Sequence, residues 1–255
     1  MNTFYGIIPA RYDSTRFPGK PLAAIGKKPM IQWVYENSAK ASMLNTVCVA
    51  TDDNRIENTV QEFGGRVLMT SIAHPSGTDR VFEAAEKIIP TGTDLASCVI
   101  INIQGDEPFI NPDIIDQLCR MFERKEVQIA TLVRDFDNDR DISSATTIKV
   151  ALNKNNEALY FSRSQIPFIR SNELRDKHTL FPFKQHIGIY AYRYSVLEKI
   201  TTLEPSSLEK AESLEQLRWL ENGYKIHVTH TKYTGHSVDL PEDIDDLKIL
   251  FPQHF

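Results

Sequence analysis

The stretch Val99-Ile-Ile-Asn-Ile-Gln-Gly-Asp-Glu-Pro108 decides the fold. Its first half is rich in Ile and Val, which is typical of a central strand buried on both faces of a parallel sheet. Similar apolar runs precede it in the chain, and helical patterns separate them. The apolar runs are residues 4–9, 47–50 and 67–69, and the helical patterns are residues 30–41 and 56–63. This βαβαβ rhythm predicts an α/β fold with a mainly parallel central sheet flanked by helices.

The second half of the chain has shorter strand candidates. They are residues 148–152, 159–161 and 187–192, with another around Ile226 and Val228. A strongly helical pattern covers residues 208–222, and Pro241 is predicted to start the last helix. No linker rich in Pro, Gly or Ser divides the chain. We therefore expect one domain over residues 1–255, in which about residues 145–220 elaborate the sheet.

The composition is that of an ordinary globular protein, with 41% hydrophobic and 25% charged residues. A net charge of −5 argues against nucleic acid as a partner. The three cysteines lack the spacing of a metal site, and their odd number argues against a disulfide framework. The N-terminus has no signal-peptide pattern, and no apolar run is long enough to span a membrane. We therefore expect a cytoplasmic protein with no membrane partner.

A basic loop follows the first strand and reads Ile7-Ile-Pro-Ala-Arg-Tyr-Asp-Ser-Thr-Arg-Phe-Pro-Gly-Lys-Pro-Leu22. Ligands of open α/β sheets collect beyond the carboxyl ends of the strands, so Arg11, Arg16 and Lys20 lie where a phosphate is expected. Arg can donate two parallel hydrogen bonds to phosphate oxygens, and Lys adds a compact charge. Small residues let the backbone approach the phosphate. The small residues are Ala10, Ser14 and Gly19. The loop predicts a triphosphate site without a Walker A or dinucleotide-binding pattern, although its charge content alone would also fit a solvated loop.

Two acidic residues are candidate metal ligands. Asp106 stands at the end of the central strand, and Asp239 lies in Val238-Asp-Leu-Pro-Glu-Asp243. Mg²⁺ binds one or two carboxylates and completes its octahedron with phosphate oxygens and water. The alternatives are a Gly-Asp turn at Asp106 and stabilisation of a helix dipole by the later acidic residues. We assign the dipole role to Glu242 and Asp243, and we keep Asp239 as a metal ligand.

Four further polar motifs are more often structural than functional when each is taken alone. A lone His beside a strand is usually half-buried and hydrogen-bonded, and a lone Glu on a helix is usually exposed. The motifs are Ser76-Gly-Thr-Asp-Arg80, Tyr160-Phe-Ser-Arg163, His186-Ile-Gly-Ile-Tyr190 and Glu215-Gln216. They gain functional meaning only as a set.

As an ordered set, the motifs closely resemble the family of 3-deoxy-manno-octulosonate (Kdo) cytidylyltransferases, over nearly the whole chain. Besides the motifs above, the landmarks are Ala50-Thr-Asp-Asp53, His74-Pro-Ser-Gly-Thr-Asp-Arg80, Glu157-Ala-Leu-Tyr-Phe-Ser-Arg163, His186-Ile-Gly-Ile-Tyr-Ala-Tyr-Arg193 and Leu214-Glu-Gln-Leu-Arg218. The resemblance implies a Rossmann-like nucleotidyltransferase fold and the transfer of CMP from CTP to the anomeric hydroxyl of Kdo, with release of pyrophosphate. It also implies Mg²⁺ as cofactor, a homodimer built through the second half, and a place in lipopolysaccharide or capsule synthesis.

The resemblance gives a role to each matching residue. Arg11 and Lys20 would hold the CTP phosphates, and they would act in catalysis together with Asp106 and Asp239, the ligands of Mg²⁺. The nucleotide site would also include Ala10, Ser14, Arg16, Ser76, Gly77 and Gln104. The sugar pocket would be lined by Gln104, Arg163, His186, Tyr190 and Glu215, with Arg163 as the partner of the sugar carboxylate.

The chain departs from the family pattern near Asp239. Leu240 stands where the family usually has Thr, and Gly235-His-Ser237 replaces a commoner Pro-Gly approach. Residues 171–184 fall in a stretch that is variable in the family and borders the sugar pocket. Two alternatives therefore stay open. One is the same reaction on the 8-amino analogue of Kdo, and the other is a nucleotide-sugar-binding protein that has the fold without the reaction.

Overall fold

A computed structural model of the chain describes residues 2–170 and 176–255. Residues 171–175, the first part of the variable stretch 171–184, lie outside the described residues. The strands are β1 (Thr3–Ala10), β2 (Ala24–Ile25), β3 (Lys28–Pro29), β4 (Thr46–Thr51), β5 (Val67–Met69), β6 (Cys98–Asn102), β7 (Ile129–Asp135), β8 (Lys149–Leu152), β9 (Ala158–Ser162), β10 (Lys184–Arg193) and β11 (Ile226–His230). The four strands predicted in the first half all occur within one residue of their predicted bounds.

The helices are α1 (Met30–Ser38), α2 (Asn54–Glu62), α3 (Gly77–Ile88), α4 (Pro112–Met121), α5 (Asp139–Ser143), α6 (Lys177–Leu180), α7 (Tyr194–Ile200), α8 (Ser207–Glu212), α9 (Gln216–Glu221) and α10 (Asp243–Leu250). Asn111 caps α4, because its side chain accepts a hydrogen bond from the N–H of Asp113 at 2.9 Å. Pro112 takes the first helical position, where its missing N–H costs nothing. Across the described ranges, no helix combines the length and the hydropathy needed to cross a membrane.

The central sheet has the strand order β11-β7-β10-β6-β1-β4-β5. β1 pairs in parallel with β4 on one side and with β6 on the other, whereas β10 runs antiparallel to both β6 and β7. The chain builds outward from β1 to β5 and then crosses back to β6, so the strand order reverses between β1 and β6. Such a switch point leaves a crevice at the carboxyl ends of the strands. The predicted α/β fold is confirmed.

Apolar layers cover both faces of the sheet, as the Ile- and Val-rich strands predict. In β1, Tyr5 and Ile7 point to one layer and Phe4 and Ile8 point to the other. Helices α3, α7 and α9 supply side chains to the first layer, and helices α1, α2 and α4 supply them to the second. The ends of β1 and β6 are therefore held on a rigid platform, which is the usual way to position a binding site.

The helical pattern predicted over residues 208–222 forms two helices and not one, because Ser213 interrupts it. Ser213 has φ 52° and ψ 50°, in the left-handed region, and this conformation is unfavourable for a residue with a Cβ atom. The N–H of Leu214 bonds back to the carbonyl oxygen of Glu209 at 3.3 Å and closes α8. The break places Glu215 at the start of α9.

The prediction that Pro241 starts the last helix is also wrong, since α10 begins at Asp243. The carboxylate of Asp243 accepts hydrogen bonds from the N–H groups of Asp239 and Leu240 at 2.6 and 2.7 Å. These bonds curl the chain before the helix. Asp243 therefore orders the backbone around Asp239, a role beyond the helix-dipole role that the sequence predicted for it.

Candidate active site

A cleft of about 460 Å³ opens at the carboxyl ends of β1 and β6, where the strand order reverses. All the residues predicted for nucleotide binding line it together with Asp106; they are Ala10, Arg11, Ser14, Arg16, Lys20, Ser76, Gly77 and Gln104. A larger cavity of about 600 Å³ lies at the opposite ends of β4 and β5, but no Asp or Glu is among the described residues that line it. Only the first of these two spaces combines cations with a carboxylate.

Lys20 connects the two candidate metal ligands at the mouth of the cleft. Its Nζ lies 2.8 Å from Oδ2 of Asp106 and 3.5 Å from Oδ1 of Asp239. Arg16 also contacts Asp239, with 2.9 Å between Nη2 and Oδ1. Two acidic side chains that are far apart in the sequence are thus brought to one ammonium group. The arrangement mixes positive charge for phosphates with carboxylate oxygens for a divalent cation.

Asp239 reaches the cleft because the chain before α10 is fastened to the end of β6. The N–H of Val238 donates to the carbonyl oxygen of Asp106 at 2.9 Å. Val238 is fully buried in an apolar cluster with Ile25, Met30 and Leu247. Since this cluster joins α1 to α10, burial of apolar side chains holds the C-terminal segment beside the first loop.

Arg11 supports the turn that precedes α3. Its Nη2 donates to the carbonyl oxygens of His74 and Ser76 at 2.8 and 2.9 Å. Burial lowers the pKa of Arg11, and the charge of Arg80 lowers it further, but an arginine stays protonated in proteins. Ser76 and Asp79 form a capping box at the start of α3. Arg11 therefore fixes a helix N-terminus at the cleft, and such a terminus favours anions.

Arg80 anchors α3 to the residues that follow β4 and β5. Its side chain is fully buried and donates to Thr70 and to the carboxylate of Asp52, which directly follows β4. A buried guanidinium without a partner would strongly destabilise the fold. The ion pair therefore ties the helix that borders the cleft to the end of β4.

Gln104 lies between the nucleotide cleft and β10. Its Cγ is 3.9 Å from the position that a Cβ atom would take at Gly188. The pairing of β10 with β7 shifts between Ile187 and Tyr190, so Gly188 lies in a bulge. Such bulges bend a strand and often occur next to binding sites.

His186 and Tyr190 lie together on the same strand, with 5.2 Å between their ring centres. Nε2 of His186 is 3.0 Å from the hydroxyl of Thr131. Burial lowers the pKa of His186 to about 3, so its ring is neutral near pH 7. The hydroxyl of Tyr190 is buried and has no hydrogen-bond partner among residues 2–170 and 176–255. A buried polar group of this kind is suited to a ligand hydroxyl or a water molecule.

Glu215 approaches the same place from the start of α9. Its Oε2 accepts a hydrogen bond from the hydroxyl of Thr78, on the first turn of α3, at 2.6 Å. Burial raises the pKa of Glu215, and the bond from Thr78 opposes that rise. Burial also raises the pKa of Tyr190, and the charges of Tyr192 and Glu215 add to it. Three of the residues predicted for the sugar pocket therefore lie close to one another.

Arg163, the fourth of these predicted sugar-pocket residues, donates hydrogen bonds to two backbone carbonyl oxygens. Its Nε donates to the carbonyl oxygen of Glu212 at 2.8 Å, and its Nη1 donates to that of Ala145 at 3.0 Å. Within the described part of the chain, no hydrogen bond joins it to His186, Tyr190 or Glu215. The structure thus ties the guanidinium of Arg163 to the end of α8.

Sequence reasoning missed Thr78, Glu107 and Tyr233. Thr78 belongs to the Ser76-Gly-Thr-Asp-Arg80 motif, but a hydroxyl has no charge signature that would single it out. Glu107 follows Asp106, and burial raises its pKa to about 7. It accepts a hydrogen bond from Tyr233 at 3.0 Å. Nothing in the segment around Tyr233 indicates this contact from the sequence alone.

The comparison with protein families decides the classification, since the cytidylyltransferase family model matches residues 5–226. The chain belongs to the cytidylyltransferase family. The chain is 56% identical over 249 residues to the 3-deoxy-manno-octulosonate cytidylyltransferase of Parabacteroides distasonis, covering 96% of each chain. It is 48% identical over 241 residues to that of Thermodesulfovibrio yellowstonii, covering 94% of each. These relatives confirm the family resemblance that the ordered motifs indicate.

A solved structure gives the same result for this cytidylyltransferase. A CMP:2-keto-3-deoxy-manno-octonic acid synthetase complexed with CTP superposes with a TM-score of 0.89, at 40% identity, and the match covers 100% of both chains. The match therefore includes the segment that carries Asp239.

Proposed function

We propose that the chain transfers CMP from CTP to the anomeric hydroxyl of Kdo, releasing pyrophosphate and giving CMP-Kdo for lipopolysaccharide synthesis. The observation that carries the proposal is the meeting of Asp106 and Asp239 at Lys20, at the mouth of the cleft. The proposal is supported by curated relatives that are Kdo cytidylyltransferases and by a solved relative that holds CTP.

The reaction exchanges one bond of the α-phosphorus of CTP for another. The anomeric oxygen of the sugar forms the new P–O bond, and the bond from the α-phosphorus to the bridging oxygen breaks. Pyrophosphate leaves with the electron pair, and the hydroxyl proton passes to solvent. Such transfers depend on positioning and on neutralising charge, so they need no covalent intermediate with the protein. Lys20 and Arg16 supply positive charge, and Arg11 holds the N-terminus of α3 toward the phosphates.

The two carboxylates fit a magnesium ion. Mg²⁺ prefers oxygen ligands and is usually held by one or two carboxylates together with substrate phosphates. The described residues contain no group of three or more His, Cys, Asp and Glu side chains that could hold a metal. Asp106 and Asp239 therefore suit an ion that the nucleotide helps to hold. When bound, Mg²⁺ would neutralise phosphate charge and lower the pKa of the attacking hydroxyl.

The sugar would bind beyond Gln104. We assign His186, Tyr190 and Glu215 to it, because a neutral imidazole, a buried hydroxyl and a partly buried carboxylate suit the hydroxyl groups of a sugar. Arg163 stays our choice for the sugar carboxylate, through its Nη2 group, since Nε and Nη1 bind carbonyl oxygens. We further propose a homodimer through residues 145–220, supported by Leu159 and Phe168, which are 60% and 84% exposed.

The test is release of pyrophosphate from CTP and Mg²⁺ with Kdo, and with its 8-amino analogue in parallel. We expect a higher kcat/KM with Kdo, and Asp106→Asn should lower turnover by roughly a thousandfold while the protein stays folded. Asp113→Asn, on the exposed first turn of α4, is the matched control and should behave like wild type. Absence of release with both sugars, where a relative is active, would refute the function, and near-normal activity of Asp106→Asn would remove Asp106 from it.

A further inference from the structure

The segment that carries Asp239 is fastened to the segment that carries Asp106 at two points. The hydroxyl of Tyr233 donates to Oε2 of Glu107 at 3.0 Å. The N–H of Val238 donates to the carbonyl oxygen of Asp106 at 2.9 Å. Neither Glu107 nor Tyr233 lines the nucleotide cleft, and the function proposed above assigns no role to either residue.

Gly235 lies between these two points and against the carboxylate of Glu107. A Cβ atom at residue 235 would stand 3.1 and 3.3 Å from the two carboxylate oxygens of Glu107, which is tighter than ordinary contact. The carboxylate is therefore held by a hydroxyl at one place and by close-packed backbone at another. The segment from Tyr233 to Val238 thus packs against the Glu107 side chain at Tyr233 and at Gly235.

The place of Asp239 depends on this path. Asp239 directly follows Val238, and its Oδ1 reaches the same Nζ of Lys20 that contacts Asp106. If the bond from Tyr233 to Glu107 is lost, the chain gains freedom up to Val238, and the two carboxylates are less often at a fixed separation. Residues behind metal ligands commonly orient them in this way, and their replacement weakens metal binding.

We propose that Glu107 is a positioning residue for a divalent-cation site, because through Tyr233 and Gly235 it holds Asp239 at a fixed separation from Asp106. The inference rests on the proposed function, since it takes Asp106 and Asp239 as the ligands of the ion. Glu107 acts through the loop and touches neither the ion nor the nucleotide. It also gives a reason for Gly235, one of the departures from the family pattern.

The test compares Tyr233→Phe and Glu107→Leu with wild type, since leucine has no atom that can accept the bond from Tyr233. Tyr233→Phe removes only the hydroxyl and keeps the ring that packs on the apolar layer. Tyr35→Phe is the matched control, because the Tyr35 hydroxyl accepts a hydrogen bond from the N–H of Arg66 at 3.1 Å, away from the cleft. Each protein is titrated with Mn²⁺ in saturating CTP, with free Mn²⁺ followed by electron paramagnetic resonance. CTP binding in EDTA and the melting temperature are measured beside it.

We expect both variants to raise the apparent Kd for Mn²⁺ about tenfold, with CTP binding in EDTA unchanged. High Mg²⁺ should restore their kcat, and Tyr35→Phe should keep the Mn²⁺ affinity of wild type even if its melting temperature falls. The inference is overturned if Tyr233→Phe and Glu107→Leu bind Mn²⁺ like wild type, if Tyr35→Phe weakens Mn²⁺ binding equally, or if wild type with CTP binds no Mn²⁺. A wild type that binds Mn²⁺ and CTP but releases no pyrophosphate would refute the proposed function alone, and the titrations would still decide the role of Glu107.

Discussion

Replacing Thr78 with valine removes one hydroxyl and keeps the branched shape of the side chain. That hydroxyl donates to Glu215 at 2.6 Å, and Thr78 is only 3% exposed. A hydrogen bond to a charged group contributes about 1.5–3 kcal/mol, so the free energy of unfolding of Thr78→Val should fall by about 2 kcal/mol near neutral pH. The sugar should also bind more weakly, because Glu215 loses the contact that orients it.

The loss of stability should shrink at low pH. Burial raises the pKa of Glu215 above its ordinary value of 4.5, and the bond from Thr78 opposes that rise. Thr78→Val therefore raises the pKa of Glu215 further. A carboxyl whose pKa is raised by folding destabilises the fold while it is ionised, and this effect disappears as the pH falls toward its unfolded pKa. The difference between variant and wild type is thus largest above the folded pKa.

The measurement is urea unfolding followed by tryptophan fluorescence, at about pH 8 and at about pH 5. Thr78→Ser keeps the hydroxyl, so its stability should lie closer to wild type than that of Thr78→Val. An equal loss at both pH values would refute the charge argument. A Thr78→Ser protein as unstable as Thr78→Val would show that packing, and not the hydrogen bond, explains the loss.

Two further substitutions test features of the second half by urea unfolding. Burial lowers the pKa of His186 from 6.5 to about 3, so only the unfolded chain takes up this proton between those pH values. The free energy of unfolding of wild type should therefore decrease as the pH is lowered through this range, by at most about 1.4 kcal/mol per pH unit from this group. His186→Gln should show a shallower decrease, and parallel pH curves would contradict the burial. Ser213→Gly should raise the free energy of unfolding by about 0.5 kcal/mol, because glycine accepts the left-handed conformation. Ser207→Gly, in the first turn of α8, is the control and should lower the free energy of unfolding. If Ser207→Gly raises the free energy of unfolding as well, the left-handed conformation of residue 213 does not explain the gain.

The parts of the fold that the sequence predicts well are those with a strong local signal. The Ile- and Val-rich runs of β1 and β6 leave little alternative to buried strands, and Asn111-Pro112 marks the start of a helix. The placement of Asp106 after a central strand and of Asp239 before the last helix predicts both as metal ligands, and the family resemblance adds that they hold the same ion. The strand predictions omit β7, although its residues form a similar buried apolar run.

The parts that the sequence did not predict depend on contacts between distant segments. The break at Ser213 is invisible to periodicity, because its neighbours suit a helix equally well. Asp243 looks like an ordinary helix-start residue until its carboxylate is seen to bind the backbone of Asp239. The bonds that Arg163 donates to the carbonyl oxygens of Ala145 and Glu212 likewise join segments that no local pattern relates. The backbone conformation of Ser213 and the hydrogen bonds of Asp243 and Arg163, rather than the residue types alone, decide these features.

The bulge of β10 places Gly188, which has no side chain, opposite Gln104. A Cβ atom at residue 188 would sit 3.9 Å from Cγ of Gln104, in ordinary van der Waals contact. An alanine there would fill the gap without moving its neighbour, whereas a branched side chain would press on Gln104. Each carbon atom added at residue 188 would therefore narrow the space beside Gln104, the residue that the proposed function places between nucleotide and sugar.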